Sequence, residues 1–188
     1  MKRVLAFDFG ASSGRAILAE YRDGDLRCQE VHRFDNQPRQ SEGHFRWNFA
    51  ELMANVYLGM EKAGPFESVG FDTWGVDFGL LDEGGRLLGD PVHYRDSRTV
   101  GMVELARGIL PEEQLYAATG NQIMPINTLF QLLALKQSQP ELLERARRLL
   151  FMPDLFAYAL CGAEGCETTI ASTSQMLDVR TGGWSQPV

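Results

Sequence analysis

The first third of the chain alternates short apolar runs with turn-forming residues. Residues 4–7 and 16–19 are apolar, and residues 27–34 mix polar and apolar side chains. Runs of this length, bounded by Gly, Ser and Asp, are typical of buried or half-buried strands. The pattern therefore predicts three successive strands, with a turn at Asp23 and Gly24 between the second and the third.

A helix and two further strands are predicted next. Asn48, with Glu51 three residues later, has the pattern of a capping box, and apolar residues then recur at helical spacing until Gly64. Residues 68–73 and 76–81 have the composition of strands. This order of elements predicts an α/β fold in which helices flank a mixed sheet.

Helical spacing dominates the next stretch. It predicts helices over residues 99–109 and 111–119, a third helix after Asn127 and a fourth from Pro140. Residues 149–152 are ambiguous, because this apolar run either continues the fourth helix or forms a buried strand.

The end of the chain shows less regular patterning. Residues 176–179 predict a last strand, and residues 181–184 predict a turn. No closing element is evident after that turn, so we expect the chain to stop at a domain boundary.

Composition narrows the class of protein. The chain has 188 residues, of which 44% are hydrophobic, which suits one well-buried domain better than two. It carries 25 acidic and 18 basic residues, and it has no run of Lys or Arg, so a nucleic-acid or anionic-membrane partner is disfavoured. Three cysteines, an odd number, favour reduced thiols in a cytoplasmic protein over a disulfide framework. The N-terminus predicts neither a signal peptide nor a membrane span.

The segment between the first two predicted strands has the chemistry of a phosphate-binding hairpin. Its sequence is DFGASSGR, residues 8–15, which is neither a Walker loop nor a dinucleotide fingerprint. We expect Gly10 and Gly14 to take positive φ and let the backbone approach an anion. Arg15 adds a guanidinium that matches phosphate, and Asp8 is placed to face a metal ion, directly or through water. The alternative is a plain Gly/Ser turn.

Five segments resemble the N-terminal domain of the FGGY carbohydrate kinases, and in particular their rhamnulokinase branch. They are DFGASSGR at 8–15, DTWGVDF at 72–78, YRDSRT at 94–99, NTLFQL at 127–132 and LFMPD at 150–154. The first is shared with many relatives, whereas the second and third together are specific to that branch. The resemblance implies an actin-like (ribonuclease H-like) ATPase domain over residues 1–188, with a mixed five-stranded sheet, and a C-terminal ATPase domain that this chain lacks.

The resemblance also implies ligands for individual residues. It implies that ATP phosphates contact Ala11, Ser12, Ser13, Gly14 and Arg15, and that Asp8 faces Mg²⁺. Gly75 matches a position that contacts the sugar. Trp74 and Asp77 flank it and offer an apolar wall and a hydrogen-bond acceptor. Core packing is the alternative for Trp74, and a capping role is the alternative for Asp77.

Three polar segments have two interpretations each. Residues 94–98 either line the cleft or begin a helix, with Ser97 or Asp96 as the cap and Arg95 in a local ion pair. Gln131 either reaches the sugar or has a solvated or capping role. The Ser/Thr-rich residues 168–174 either approach the cleft or cap a helix.

The activity implied by the resemblance is ATP-dependent phosphorylation of L-rhamnulose at its C1 hydroxyl, in rhamnose catabolism. In the family the general base is an Asp of a His-Asp-type motif in the second domain. No such motif occurs here, so we expect this chain alone to be inactive and to require the missing domain. The alternatives are a kinase for another ketose or polyol, an actin-like domain that binds sugar or nucleotide without catalysis, and an interaction module produced by truncation.

Overall fold

The computed structural model describes every residue from Met1 to Val188. The chain forms two compact units, the first made of residues 1–39 and 47–74 and the second of residues 40–46 and 75–188. The strands are β1 (Lys2–Phe9), β2 (Ser13–Arg22), β3 (Asp25–Asp35), β4 (Arg39–Ser41), β5 (His44–Arg46), β6 (Ser68–Asp72), β7 (Phe78–Leu81) and β8 (Arg148–Phe151). The helices are α1 (Phe49–Ala63), α2 (Met102–Arg107), α3 (Glu112–Thr119), α4 (Thr128–Ser138), α5 (Pro140–Arg145), α6 (Met152–Cys161) and α7 (Thr168–Ser172).

The first unit is a mixed sheet with the strand order β3-β2-β1-β6. β1 pairs antiparallel with β2 and parallel with β6, so β1 is the central strand that carries the hairpin. Alternate residues of β1, namely Leu5, Phe7 and Phe9, are buried. Helix α1 packs closely on the sheet at Gly59, where a Cβ atom would lie 2.8 Å from the ring of Phe7. Because side chains alternate along a strand, the intervening residues of β1, including Asp8, point to the other face of the sheet.

The second unit is mainly helical around a two-stranded antiparallel ladder of β7 and β8. All four residues of β7 are buried. Phe78 and Leu80 of this strand form a hydrophobic cluster with Leu135, Phe151 and Ala171. Burial on all sides explains why this strand has a continuous apolar sequence and no alternation. No helix in either unit is both long enough and apolar enough to cross a membrane.

The fold class agrees with the prediction, and the mixed sheet lies where the sequence placed it. The main sheet has four strands instead of the predicted five, because β7 pairs with β8 in a separate ladder. The ambiguous residues 149–152 belong mostly to that strand, and helix α5 ends at Arg145.

Several boundaries differ from the prediction. The helix predicted over residues 99–109 is shortened to α2, since Val100 is extended and Gly101 has φ 80°. The strand predicted at 176–179 is reduced to one isolated bridge between Leu177 and Trp184. Three elements had no prediction: helix α6, helix α7 and the hairpin of β4 and β5.

Candidate functional site

The hairpin between β1 and β2 is a tight turn with an exposed tip. The N–H of Gly10 donates to the carbonyl of Ser13 at 2.9 Å, which closes the turn. Ala11 and Ser12, at the tip, are exposed. Three of the residues that the resemblance implies at ATP phosphates therefore lie in one short, closed loop.

Asn36, directly after β3, holds this hairpin in place. Its backbone N–H donates to the carbonyl of Ser12 at 3.0 Å, and its Nδ2 donates to the carbonyl of Gly10 at 2.7 Å. Asn36 is only 1% exposed, so these bonds are shielded from water. No local sequence motif marks Asn36, because its partners are 24 to 26 positions away.

The glycines of the hairpin have a different role from the predicted one. Neither Gly10 nor Gly14 has a positive φ, so the predicted backbone conformation is wrong for both residues. Position 14 requires glycine for a steric reason, since a Cβ atom there would overlap the ring of Phe34. At Gly10 a Cβ atom would lie 3.2 Å from the carbonyl oxygen of Ser13. The absence of a side chain thus permits close packing, and it does not supply a left-handed turn.

Charged side chains meet beside the hairpin on one face of the sheet. Asp8 and Arg15 are directly opposite in the β1–β2 register and form an ion pair. Asp72 is the neighbour of Asp8 in the β1–β6 register, so both carboxylates project from the same face. The Nε of Arg15 is buried and has no hydrogen-bond partner. The Arg15 side chain is 40% exposed, and a partly exposed guanidinium beside two carboxylates can bind a phosphate and its counter-cation.

These residues fit Mg²⁺ only as part of a larger ligand set. No group of three or more His, Cys, Asp or Glu residues could hold a metal ion. Mg²⁺ usually keeps several waters and is held by one or two carboxylates together with substrate phosphates. Asp8 and Asp72 match that pattern, so the ion would be held jointly with the phosphates of a bound nucleotide.

Trp74 extends an aromatic cluster of the first unit. Its ring lies 4.0 Å from that of Trp47 and 6.5 Å, edge to face, from that of Phe9, measured between centroids. Trp47 is fully buried, whereas Trp74 is half-buried. Both interpretations of Trp74 therefore remain open: part of the ring packs on the core, and part can contact a ligand.

The turn that follows Trp74 has a strained backbone. Val76 has φ 67°, a left-handed conformation that a β-branched residue rarely adopts. Its N–H donates to Thr173 Oγ1 at 3.0 Å, and its carbonyl accepts from Thr128 Oγ1 at 2.7 Å. Gly75 has no room for a side chain, since a Cβ atom would lie 3.0 to 3.1 Å from Thr173. Residues from two helical regions thus hold this turn in one conformation.

Asp77 is fully buried and accepts hydrogen bonds within the protein. Its Oδ2 accepts from the N–H of Tyr94 at 3.2 Å, and its Oδ1 accepts from Gln131 Nε2 at 3.1 Å. Gln131 is only 1% exposed, so a solvated role for it is wrong. It supports the turn instead, since its Nε2 also lies 3.3 Å from the carbonyl oxygen of Val76. The predicted contact between Asp77 and a sugar hydroxyl stays a prediction.

Asp96 caps the short 3₁₀ turn of Ser97–Thr99. Its Oδ1 accepts from the N–H of Arg98 at 3.0 Å and contacts His44 Nδ1 at 3.0 Å, and its Oδ2 accepts from the N–H of Phe45 at 2.8 Å. Burial raises the pKa of Asp96, but these hydrogen bonds outweigh it, so the pKa lies below its usual value. The capping interpretation is confirmed for Asp96, while Arg95 stacks on the Tyr94 ring at 5.4 Å.

Comparison with known proteins decides the family. A model of the N-terminal domain of the FGGY family of carbohydrate kinases matches residues 3–188. The chain belongs to this family. Among solved structures, xylulose kinase from Lactobacillus acidophilus has a TM-score of 0.84 at 19% identity, over 99% of this chain and 39% of that one. Gluconate kinase from the same organism also has a TM-score of 0.84 at 19% identity, over 98% of this chain and 38% of that one.

A third solved structure with this fold is that of glycerol kinase from Plasmodium falciparum with ADP. It has a TM-score of 0.78 at 17% identity, over 99% of this chain and 40% of that one. At these identities the likeness shows the fold alone. This FGGY chain spans about two fifths of the length of the structures that it matches.

The predicted site residues fall into two sets in this FGGY domain. Asp8, Arg15 and Trp74 belong to the first unit, whereas Gly75 and Asp77 belong to the second. Each set is held by hydrogen bonds from residues that were not predicted to support it: Asn36 for the hairpin, and Thr128 and Thr173 for the turn. The assignment of ligands to both sets remains a proposal.

Proposed function

We propose that this chain is the part of a sugar kinase that binds the phosphates of ATP and contacts the sugar. The kinase transfers the γ-phosphoryl group of ATP to the C1 hydroxyl of L-rhamnulose, which yields L-rhamnulose 1-phosphate. Membership of the FGGY family supports the reaction class. The observation that carries the proposal is the hairpin, closed by Gly10 and Asn36, with the Asp8–Arg15 pair beside it.

The hairpin residues have distinct roles in this proposal. Ala11, Ser12, Ser13 and Gly14 provide backbone and hydroxyl donors to the phosphates, and Arg15 provides positive charge. Asp8, with Asp72 beside it, faces the Mg²⁺ ion, directly or through water. When bound, that ion neutralises phosphate charge. Arg15 leaves Asp8 when phosphate arrives, so that each charge gains a partner of opposite sign.

The turn at residues 74–77 is the proposed sugar contact. Gly75 presents backbone N–H and carbonyl groups without a side chain, and the hydrogen bonds to Val76 keep those groups in place. The half-buried ring of Trp74 offers an apolar surface to one face of the sugar. Asp77 orders the turn from within. L-rhamnulose is assigned from the segments DTWGVDF and YRDSRT, which resemble the rhamnulokinase branch.

The general base is proposed to lie outside this chain, in a second domain. Asp8 is assigned to the Mg²⁺ ion, and Asp77 is buried and hydrogen-bonded, so neither is arranged to take a proton from a sugar hydroxyl. Domain closure would assemble the base with the groups described here and exclude water.

A kinase for another sugar or polyol is the second candidate. It is favoured by the solved structures that share this fold, which are named as kinases of xylulose, gluconate and glycerol. A domain that binds sugar or nucleotide without catalysis is the remaining alternative, and binding without turnover of any sugar would favour it.

A coupled ADP-release assay with ATP, Mg²⁺ and L-rhamnulose tests the proposal. It is run on this chain and on a polypeptide that continues into a second domain. Turnover by the longer polypeptide alone is the expected result. Turnover with xylulose, gluconate or glycerol but not L-rhamnulose would move the assignment to the second candidate. Turnover by residues 1–188 alone would contradict the absence of a base.

A matched pair of variants sharpens this assay. Arg15→Gln in the longer polypeptide removes the proposed phosphate contact and should raise the KM for ATP about tenfold or more, since hydrogen bonds between charged groups are strong. Arg27→Gln removes an arginine of the same sheet that is 82% exposed, and should leave the KM unchanged. Equal effects of both variants would remove the hairpin from the ATP site.

A further inference from the structure

A chain of hydrogen bonds in the second unit joins Arg98, Gln131 and Asp77. Arg98 Nη2 donates to Gln131 Oε1 at 2.7 Å, and Gln131 Nε2 donates to Asp77 Oδ1 at 3.1 Å. The three residues come from three of the segments that resemble the family, which are YRDSRT at 94–99, NTLFQL at 127–132 and DTWGVDF at 72–78. Arg98 itself has no role in the proposed phosphate and sugar contacts.

Arg98 fixes the direction in which the amide of Gln131 points. An arginine side chain can only donate hydrogen bonds, so the amide turns its oxygen toward Nη2. Its Nε2 is thereby turned toward acceptors: Asp77 Oδ1 and the carbonyls of Val76 and Ile126, at 3.1, 3.3 and 2.9 Å. Gln131 is only 1% exposed, so water is poorly placed to replace any of these partners.

Arg98 also supplies positive charge near the buried carboxylate of Asp77. Burial and, to a smaller extent, the charge of Arg46 lower the pKa of Arg98 to about 10, against the opposing effect of Asp77 and Asp96. Arg98 is therefore charged at neutral pH. A fully buried carboxylate is costly unless hydrogen bonds and an opposite charge compensate it. Gln131 donates a hydrogen bond to Asp77, and Arg98 contributes the charge.

The turn at residues 75–77 is tied to one neighbouring segment at two points. Asp77 Oδ2 accepts from the N–H of Tyr94 at 3.2 Å, and four residues later Arg98 reaches the same carboxylate through the glutamine amide. The backbone of Arg98 is itself fixed, since its N–H donates to Asp96 Oδ1 at 3.0 Å. Loss of the arginine would leave the turn with one of these two ties and would leave a buried amide oxygen without its donor.

We propose that Arg98 is a positioning residue for the sugar: acting through Gln131, it holds the turn at residues 75–77 in the geometry that binds the substrate. This inference rests on the proposed function, which makes that turn the sugar contact. The reaction requires the acceptor hydroxyl to be aligned with the γ-phosphoryl group, so a shifted turn weakens the binding of the sugar. The phosphate hairpin belongs to the first unit, so ATP binding is unaffected. A role in stability alone is the competing outcome.

Steady-state kinetics of the longer polypeptide test the proposal, with the sugar that the coupled assay identifies. Arg98→Met removes the charge and the donor from a side chain of similar length. It should raise the KM for the sugar about tenfold, the size expected for one charge-assisted hydrogen bond, and leave the KM for ATP unchanged. Arg98→Lys keeps a charge and a donor, and should recover most of that loss. Arg86→Gln, which removes an 85% exposed arginine of the same unit, should change neither KM.

A purely structural role for Arg98 predicts a different result. Fewer folded molecules would lower the apparent kcat and leave both KM values as they are, because the molecules that remain folded bind normally. That result, or an equal increase in both KM values, would overturn the proposal.

A double variant shows whether Arg98 acts through Gln131. Gln131→Leu removes the bridge, so adding Arg98→Met to it should raise the KM for the sugar little further, since residues in one hydrogen-bond network are not additive. Effects that multiply in the double variant would contradict a route through the glutamine.

Amide hydrogen exchange separates a failure of this inference from a failure of the proposed function. It is measured on residues 1–188 and needs no substrate. In Arg98→Met, exchange at the amides of Val76 and Tyr94 should be about tenfold faster, and exchange at Gly10 should be unchanged. If the longer polypeptide turns over no sugar, the proposed function fails, and faster exchange at the two amides still shows that the arginine holds the turn. Unchanged exchange at both overturns the inference whatever the activity.

The unaltered protein provides the decisive measurement if Arg98→Met does not fold. The side-chain amide protons of Gln131 should then exchange far more slowly than those of Gln29, an exposed glutamine of β3. Equal exchange of the two side-chain amides would contradict the bridge.

Discussion

The hairpin at residues 10–14 and the turn at residues 75–77 are both tight turns with a glycine, yet they are built in opposite ways. The hairpin has an exposed tip, and its charged neighbours Asp8 and Arg15 are 35% and 40% exposed. The second turn is closed around a left-handed Val76 and a fully buried Asp77. The first is closed within two adjacent strands and supported by the nearby Asn36, whereas the second depends on residues more than 50 positions away.

This difference shows which part of the proposed site is ready before a ligand arrives. Residues up to 97 positions distant hold Val76 in its conformation, so Gly75 is already placed in the free protein. At the hairpin, the Asp8–Arg15 pair satisfies charges that phosphate and Mg²⁺ would otherwise satisfy. Under the proposed function, the sugar contact is therefore rigid, and the phosphate contact rearranges its charges on binding.

The largest expected effect is a pH dependence of stability caused by His93, whose neighbour Tyr94 donates its N–H to the buried Asp77. Burial and, to a smaller extent, the charge of Arg95 lower the pKa of His93 from 6.5 to about 4, against the opposing effect of Asp96, and His93 Nδ1 accepts from the N–H of Arg95 at 2.9 Å. The unfolded chain binds this proton near pH 6.5, and the folded chain binds it only near pH 4. The stabilisation is therefore complete above pH 6.5 and falls by up to about 3 kcal/mol as pH drops toward 4.

Urea unfolding at pH 7 and pH 4.5 measures this loss. His93→Gln should flatten the dependence of the unfolding free energy on pH over that range. The lowered pKa of Asp96 acts below its ordinary value of 3.8, outside this window. An unchanged slope in the variant would assign the dependence to another group and weaken the contrast between the two turns.

The second effect concerns the packing of the hairpin. Gly14→Ala places a Cβ atom in the ring of Phe34, which is buried, and should destabilise the protein by about 2–3 kcal/mol, as overpacking usually does. Gly70→Ala is the matched control in β6, because no atom lies within 4 Å of its Cβ position. Chemical denaturation of both variants measures the difference. A mild effect of Gly14→Ala would mean that Phe34 moves aside at little cost.

The same contrast explains how much the sequence could predict. Strands β1 to β3 and helix α1, with its Asn48–Glu51 cap, follow from local patterns, and the structure has them. The hairpin of β4 and β5 was not predicted because its strands have three residues each and are largely polar. Helix α6 was not predicted because its first residues continue the apolar run of β8.

The site divides in a similar way. Asp8, Arg15 and Gly75 were marked by composition or by resemblance to a family motif. Asn36, Thr128 and Thr173 act through contacts that only the folded chain creates, 26 to 97 residues along the sequence. The predicted positive φ at Gly10 and Gly14 was wrong because a glycine can be required by space alone, and the sequence does not distinguish the two reasons.

The third effect concerns the support of the strained turn. Thr173→Val keeps the shape of the side chain but removes the acceptor for the N–H of Val76, and should cost about 1–2 kcal/mol in unfolding free energy. Thr173→Ser retains the hydroxyl and should recover most of that loss. Amide hydrogen exchange should show faster exchange at Val76 in the valine variant and unchanged exchange at Gly10. Equal exchange at both amides would contradict a specific role for Thr173.

The smallest effect on stability, and the sharpest test of the comparison, is expected from Asp8→Asn. It breaks a partly exposed ion pair, so the unfolding free energy should change by less than about 1 kcal/mol. The Asp8 carboxylate then no longer competes with phosphate for Arg15. The affinity for inorganic tripolyphosphate without Mg²⁺ should therefore rise about threefold to tenfold, because binding no longer has to break the ion pair. The enhancement of that affinity by Mg²⁺ should disappear, because Asp8 is the proposed contact to the ion.

Calorimetric titration with and without Mg²⁺ measures both quantities. Asp23→Asn, which changes an exposed carboxylate of the β2–β3 turn, is the control. A weaker affinity in Asp8→Asn would mean that the carboxylate orients Arg15 toward phosphate, and that the hairpin is as preorganised as the turn at Val76.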